Sequence, residues 1–176
     1  MLTADYVVGL VDGEGSFAVH FNQSQRRRAK VEPKFCLKLR ADDRLILDEL
    51  LGYFGVGKVY IQRDRRVNHS LCYRYEVNNR KDLLEVIVPF FQAHPLRFPS
   101  KKRDFDLFRQ IVALIERGEH LTGQGLDTAR QLASQMHRGS LDALDTLVQW
   151  ERGVEFNDLN HRPSSHERSG GASSPG

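Results

Sequence analysis

Two carboxylates at the end of an apolar segment are the residues of this chain best placed to do chemistry. Asp12 and Glu14 follow residues 6–11, whose apolar character and spacing predict a helix over residues 4–12. Both acids would then lie at the C-terminal end of that helix, where the dipole disfavours a negative charge by about 0.3–1 kcal/mol. We therefore expect this acidic cluster to need a cation.

Glycines next to the two acids predict that the same helix packs closely on another helix. Gly9 and Gly13 are four residues apart, so they share one helical face. Each glycine lowers helix stability by roughly 1 kcal/mol relative to Ala, and the adjacent Val7 and Val8 are also poor helix formers. Because glycine has no Cβ atom, a second backbone can come very near this face.

Residues 7–15 read V-V-G-L-V-D-G-E-G, and an alternating strand pattern follows at once. This combination resembles the LAGLIDADG motif of homing endonucleases and their maturase relatives. The letters that match are Gly9, Leu10, Asp12 and Gly15. Glu14 replaces the last Asp of the motif with another carboxylate. The alternative interpretation is a short buried helix with an incidental acidic turn.

The elements that must position these residues follow from hydrophobic periodicity. Helices are expected over residues 4–12, from Asp42 to Gly55 or Gly57, from Asp82 to just before His94, and at 125–137 and 140–151. A long amphipathic helix is expected to start near Ser100 and to carry Phe105, Phe108, Val112 and Ile115. Strands are expected at 16–22, 34–40, 58–63 and 70–77, with residues 23–33 as a connection. This order indicates an α+β fold, and it is similar to the αββαββα core of the LAGLIDADG family, whose antiparallel sheet forms a DNA-binding saddle.

Length and composition limit the protein to one folded domain. We expect that domain over residues 1–155 of the 176-residue chain, followed by a disordered, Ser- and Gly-rich tail at 156–176. Cys36 and Cys72 are too far apart for a zinc or disulfide pattern, which favours a reduced compartment. Neither a secretion signal nor an apolar run of membrane-spanning length is present, so an intracellular, soluble protein is expected.

Basic residues are concentrated where a polyanion could bind. The chain carries a formal charge of +3 with a pI near 9.0, and its cations cluster beside predicted strands. Candidate contacts to bases or phosphates from the strand faces are His20, Asn22, Lys34, Lys38, Arg40, Lys58, Tyr60, Gln62 and Arg74. Candidates for contacts to the phosphate backbone from the predicted turns are Arg26, Arg27, Arg28, Arg65 and Arg66. The alternative for any one basic run is a solvated loop.

The resemblance implies a site-specific endonuclease that acts on double-stranded DNA. Family members with one copy of the motif work as homodimers, which places Val8, Gly9, Asp12 and Gly13 at the dimer interface. Glu14 from each subunit, with the carbonyl of Gly13, would hold a divalent cation, and hard oxygen ligands suit Mg²⁺. The implied reaction is phosphodiester hydrolysis that gives a staggered cut in a roughly palindromic target.

The resemblance also implies a lysine near the scissile phosphate. Lys101 aligns best with it and Lys102 next, although either could simply be a basic residue at the start of a helix. A glutamine that often helps to order water in the family corresponds to Leu39, and a nearby arginine to Asp43; Arg40 or Arg44 could cover that role. This departure keeps a second interpretation open, namely an intron splicing factor (maturase) that binds intron RNA, or a DNA-binding protein, that has lost cleavage. A domain without a nucleic-acid role is disfavoured by the basic strand faces.

Overall fold

The computed structural model describes residues 2–22, 31–62 and 71–136, all within one compact unit, Met1–Arg138. Several sequence-based predictions lie outside these residues: the turns that carry Arg26, Arg27, Arg28, Arg65 and Arg66, the helix at 140–151, the domain end at 155 and the tail at 156–176.

The described elements alternate as the sequence predicts. They are α1 (Ala4–Glu14), β1 (Gly15–Phe21), β2 (Val31–Arg40), α2 (Arg44–Phe54), β3 (Lys58–Gln62), β4 (Cys72–Val77), α3 (Arg80–Asp82, Leu83–Ile87 and Val88–Ala93 in succession), α4 (Pro99–Glu116) and α5 (Gly123–Ala133). Single 3₁₀ turns at Ala41–Asp43 and Glu119–Leu121 precede α2 and α5. The order helix, strand, strand, helix, strand, strand, helix confirms the predicted α+β class.

Local capping chemistry sets the ends of several helices. The hydroxyl of Thr3 accepts a hydrogen bond from the backbone N–H of Tyr6, so Thr3 caps α1. Gly55 ends α2 in the left-handed conformation with φ 67°, which a glycine adopts without strain. The side chain of Asn79 caps α3, so that helix begins two residues before the expected Asp82.

Helix α3 contains a π-helical turn, Leu83–Ile87, just before Pro89. Proline has no N–H to donate, and its ring would clash with the carbonyl four residues earlier in a regular α-helix. The wider π turn lies where this conflict would occur, so the helix continues to Ala93 instead of breaking.

Four antiparallel strands form one sheet in the order β1-β2-β4-β3. Strand β2 begins at Val31, so the prediction that residues 31–33 belong to a connection was wrong. Pro33 pairs with Val19 of β1, but the pairing of β2 with β4 starts only at Phe35. Among the described residues, Pro33 therefore has a strand neighbour on one side only, a position at which the missing N–H is tolerated.

The helices cover one face of the sheet, and the core lies between them. Phe17 of β1 is almost fully buried and contacts Phe35, Phe91, Phe105 and Phe108 at ring-centroid distances of 5.3–5.7 Å. These rings come from β2, α3 and α4, so the aromatic cluster joins the sheet to two helices. Offset and edge-on ring pairs of this kind add about 0.5–1.5 kcal/mol each beyond the burial of their area.

None of the helices in the described part of the chain has the length and apolar character needed to cross a membrane.

Candidate functional site

The C-terminal end of α1 turns directly into β1 and places Glu14 at the junction. Glu14 is the last residue of α1 and is exposed, and Gly15 is the first residue of β1. The backbone N–H of Gly15 closes the helix on the carbonyl of Val11. A Cβ atom on Gly15 would lie 2.5 Å from Val11 Cγ1 and 2.6 Å from that carbonyl oxygen. Only glycine fits this turn, which leaves the Glu14 carboxylate facing outward at the junction.

Asp12 is buried inside the subunit and binds the loop that precedes α4. It is 4 % exposed, and its two carboxylate oxygens accept the backbone N–H groups of Arg97 (3.0 Å) and Phe98 (3.2 Å). Phe98 is the residue before α4, and its own side chain makes no capping hydrogen bond. The cation expected beside the acidic pair is therefore not needed by Asp12, whose charge these two N–H donors compensate.

The two glycines of α1 differ from their neighbours on the motif. Gly9 and Gly13 are exposed, and a Cβ atom at either position would meet nothing within 4 Å among the described residues. Tyr6, also on α1, is 48 % exposed. Val8, in contrast, is 4 % exposed in the core. The side chains of Val8 and Asp12 thus belong to the subunit interior, and the interface expected on this helix depends on its glycines.

Helix α4 brings Lys101 to the same junction. The Nζ atom of Lys101 donates to the carbonyl oxygen of Gly15, the residue after Glu14. Lys102 is exposed and instead lines a cavity of about 320 Å³ with Phe91 and Pro95. The two candidates, of which the sequence ranked Lys101 first and Lys102 second, thus have different surroundings, and Lys101 binds the residue that follows the acid.

Strand register places further basic residues near Glu14. Gly15, the first residue of β1, pairs with Leu37 of β2. The next residue of β2, Lys38, therefore lies opposite Glu14, the residue before β1. Arg40 follows on the same side of β2, is exposed, and lies 3.5 Å from Asp42. Leu39 points to the opposite side and packs against the core.

Arg44, the other candidate to replace the family arginine, has partners on α2 and β4. Its guanidinium lies 3.3 Å from Asp48 and 4.8 Å from the centroid of the Tyr73 ring. Arg40 is therefore the better placed of the two for a role beside Glu14.

The sheet face opposite the core is polar, as the strand alternation predicts. We call it the polar face; its members are Ser16, Ala18 and His20 of β1, Glu32, Lys34, Cys36, Lys38 and Arg40 of β2, Lys58, Tyr60 and Gln62 of β3, and Cys72, Arg74 and Glu76 of β4. Asn22 follows the end of β1. Arg74 lies directly between Lys38 and Tyr60, so the expectation that it points outward is confirmed.

The electrostatics of the polar face favour an anion. It carries five Lys or Arg side chains and two Glu side chains. The net charge of this face alone therefore equals the formal charge of +3 on the whole chain. One of the acids, Glu76, is only 5 % exposed, and Arg74 and Tyr60 surround it. Cys36 is buried among these residues, and burial raises the pKa of its thiol, so it stays neutral.

Two features of the site were missed in the sequence. The hydrogen bonds of Asp12 join residues 85 and 86 positions apart, a separation that carries no local signal. The alternation of β4 places Glu76 on the same face as Arg74, but nothing in the sequence indicated that this acid has a role of its own.

Comparison with known proteins gives a consistent picture. A model of the LAGLIDADG endonuclease family matches residues 7–112. The chain is 37 % identical over 103 residues to the "Probable intron-encoded DNA endonuclease 1" of Mycosarcoma maydis, covering 58 % of this chain and 34 % of that protein. It is 30 % identical over 118 residues to the "Homing endonuclease I-ApeII" of Aeropyrum pernix, covering 66 % of each.

Solved structures extend the similarity to the fold. The crystal structure of the homing endonuclease I-TnaI is 35 % identical with a TM-score of 0.68, and the match covers 84 % of this chain and 97 % of that one. I-SmaMI bound to an uncleaved DNA target in the presence of calcium ions is 27 % identical with a TM-score of 0.70, covering 78 % of this chain and 46 % of that one. The chain thus spans about a third of its curated fungal relative and about half of I-SmaMI.

Proposed function

The chain belongs to the LAGLIDADG endonuclease family, and from this premise we propose that it is a homodimeric, Mg²⁺-dependent endonuclease that cuts both strands of a long, roughly palindromic DNA target with a stagger. One observation carries the proposal. At the junction of α1 and β1 the exposed Glu14 carboxylate lies next to Gly15, whose carbonyl binds the ammonium of Lys101, and the same helix exposes the face of Gly9 and Gly13.

The glycines support a dimer because the subunit itself does not require them. Alanine at Gly9 or Gly13 would meet nothing within 4 Å among the described residues, yet each glycine lowers helix stability by roughly 1 kcal/mol. A second α1 packed against this face, related by a two-fold axis, explains the choice. The match to about half of the I-SmaMI chain agrees with a subunit that supplies one of two equivalent halves.

The oxygen atoms at the junction suit a hard divalent cation. Glu14 is an exposed carboxylate at the negative end of a helix, and the carbonyl of Gly13 is beside it. No cluster of three His, Cys, Asp or Glu side chains able to hold a metal occurs among residues 2–22, 31–62 and 71–136. A site completed by Glu14 of a second subunit needs no such cluster within one chain. Mg²⁺ bound there would stabilise the attacking and leaving oxygens of an in-line displacement at phosphorus.

The protein's own groups position the DNA and balance charge. Lys101, held by the carbonyl of Gly15, places a positive charge where a phosphate would approach Glu14, and it would stabilise the negative charge of the transition state. Arg40, two residues beyond Lys38 on β2, and Lys102, next to Lys101 on α4, add further positive charge. The polar face, with its excess of basic side chains, would lie in the major groove, and Arg26 and Arg65, which lie outside the described residues, are proposed to contact the phosphate backbone.

Cleavage of a defined duplex tests this function. The probe is the DNA that results when the intron carrying this reading frame is removed, incubated with the protein and Mg²⁺. Glu14→Gln should abolish cutting and leave DNA affinity nearly unchanged, because the amide keeps the shape but loses the charge that holds the cation. Asp5→Asn is the matched control, since Asp5 is an exposed acid at the other end of α1. Undiminished cutting by Glu14→Gln would show that another acid holds the metal.

A maturase or a DNA-binding protein without cleavage is the second candidate. It is favoured by Leu39 and Asp43, which stand where the family carries a glutamine and an arginine. Leu39 packs on the core, and Asp43 precedes α2. If the folded protein binds the intron-free duplex tightly but leaves both strands intact, or binds its intron RNA and promotes splicing, this second function replaces the first.

A further inference from the structure

Glu76 is a buried acid at the centre of a basic face. Its Oε2 atom accepts a hydrogen bond of 2.7 Å from the Tyr60 hydroxyl, and its Oε1 atom accepts one of 3.0 Å from the side-chain amide of Asn78. The Nη1 atom of Arg74 lies 3.9 Å from Oε2. A carboxylate here opposes phosphate binding and is costly to bury, so its presence calls for a function.

The contacts of Glu76 fix two neighbours that face each other across the sheet. Tyr60 of β3 and Arg74 of β4 are directly opposite in the antiparallel register. Arg74 is also held at Nε, which donates to Oε1 of Gln62 at 2.9 Å. Its side chain is 29 % exposed, so the guanidinium is anchored at two points and still reaches solvent on the polar face.

This arrangement fixes what each side chain can offer to a ligand. The single hydroxyl proton of Tyr60 is donated to Glu76, and the Arg74 side chain interacts with the same hydroxyl, so the Tyr60 oxygen can offer a ligand only a remaining lone pair. Burial and the hydrogen bond to Glu76 both raise the pKa of Tyr60, which keeps that proton in place. Arg74 can only donate. An acceptor and a set of donors therefore stand side by side.

Among the base pairs, this pattern complements guanine with cytosine. In the major groove guanine presents two acceptors, O6 and N7, and its cytosine partner presents the N4 amino donor. We propose that Glu76 is a positioning residue that fixes the Tyr60–Arg74 pair to read one G·C base pair in each half of the target. The inference rests on the proposed function in one respect, that the polar face binds duplex DNA.

Base preference measured position by position distinguishes this role from a merely structural one. The wild-type protein, Glu76→Gln, Tyr60→Phe and the control Glu32→Gln are each used to select from randomised duplexes in calcium, the ion present with I-SmaMI on uncleaved DNA. Glu32 is the matched control because it is the other acid of the polar face, at the far end of β2.

We expect the wild type to select G·C at one symmetric pair of positions. Glu76→Gln should reduce that preference by about 5- to 150-fold, the range for loss of a good base contact, without changing other positions. Tyr60→Phe, which keeps the ring, should weaken the same position only. Glu32→Gln should change overall affinity and leave every base preference as it was.

Several results would overturn the proposal. One is a Glu76→Gln protein that melts like the wild type and keeps its full base profile. Another is equal loss of preference at every position, which would mark Glu76 as structural. If Glu76→Gln does not fold, Tyr60→Phe decides, and an unchanged profile for that variant refutes the proposal. If the wild type selects no sequence at all, the proposed function fails as well; a selective wild type whose profile ignores these residues refutes this inference alone.

Discussion

Replacing Asp12 by Asn should weaken the hydrogen bonds that hold the end of α1 to the loop before α4. In the wild type both carboxylate oxygens are used, one by the N–H of Arg97 and one by the N–H of Phe98. The Asn side chain keeps one oxygen, but its NH₂ group must then face the other backbone donor. The substitution therefore loses one charge-assisted hydrogen bond outright and weakens the second, while the volume of the side chain hardly changes.

The expected loss follows from the burial of this group. A hydrogen bond to a charged partner contributes about 1.5–3 kcal/mol, and a site that is 4 % exposed has little water to replace it. We expect Asp12→Asn to lower the free energy of unfolding by about 2–3 kcal/mol. Asp5→Asn is the matched control, because Asp5 lies on the same helix and pairs with the same Arg97 at 3.6 Å, but its side chain is 90 % exposed. That substitution should cost at most about 0.5 kcal/mol.

Urea unfolding followed by circular dichroism measures both variants. The titrations are repeated at several protein concentrations, because the proposed dimer would make the free energy of unfolding depend on concentration. Since the loop leads to Lys101, Asp12→Asn should also slow DNA cleavage at temperatures where it remains folded, whereas Asp5→Asn should cut normally. If both substitutions lower the free energy of unfolding equally, the hydrogen bonds of Asp12 do not stabilise the attachment of this loop, and the reasoning is refuted.

Three further predictions concern two glycines and a buried histidine. Gly15→Ala places a Cβ atom 2.5 Å from Val11 Cγ1 and should cost about 1–3 kcal/mol, whereas Gly9→Ala should stabilise the isolated subunit by roughly 1 kcal/mol yet shift sedimentation from dimer towards monomer. A dimer of unchanged strength in Gly9→Ala would contradict the packing assigned to this face. Burial, and to a smaller extent the charge of Arg80, lower the pKa of His120 in the folded state below the ordinary histidine value of about 6.5. At a pH just below 6.5 the unfolded chain therefore binds more protons than the folded chain does. The free energy of unfolding should therefore fall as the pH drops from about 7 to 5, and His120→Gln should flatten this slope in urea titrations; an equal slope in both proteins would assign it to other groups.

The parts of the fold that could be predicted from sequence are those with a local cause. Thr3 caps α1 because its hydroxyl reaches an N–H three residues on, and Gly55 ends α2 because it adopts a positive φ. The period of two along β2 and β4 put Lys38 and Arg74 on one face, which the register confirms. Each of these signals lies within a few residues of the structure that it predicts.

The parts that escaped prediction depend on distant neighbours. Pro33 was assigned to the connection before β2, but it lies within the strand and is tolerated there because the pairing of β2 with β4 begins only two residues later, at Phe35. Asp12 appeared to be part of an acidic cluster at an interface, but its partners lie in the loop before α4. Lys101 and Lys102 are adjacent in sequence, and only the packing of α4 on the end of α1 separates their surroundings.

At some positions of the motif at residues 7–15, contacts within the subunit explain why that residue type is present, and at others they do not. The first group is buried or sterically fixed and comprises Val7, Val8, Val11, Asp12 and Gly15. Gly9, Gly13 and Glu14 are exposed, and the two glycines meet no neighbour that would forbid a side chain in the described structure. Residues that lower helix stability without any internal compensation need a reason outside the subunit. In the proposed dimer, a second copy of α1 would account for the glycines and a shared cation would account for the acid, so a single two-fold axis would explain all three residues.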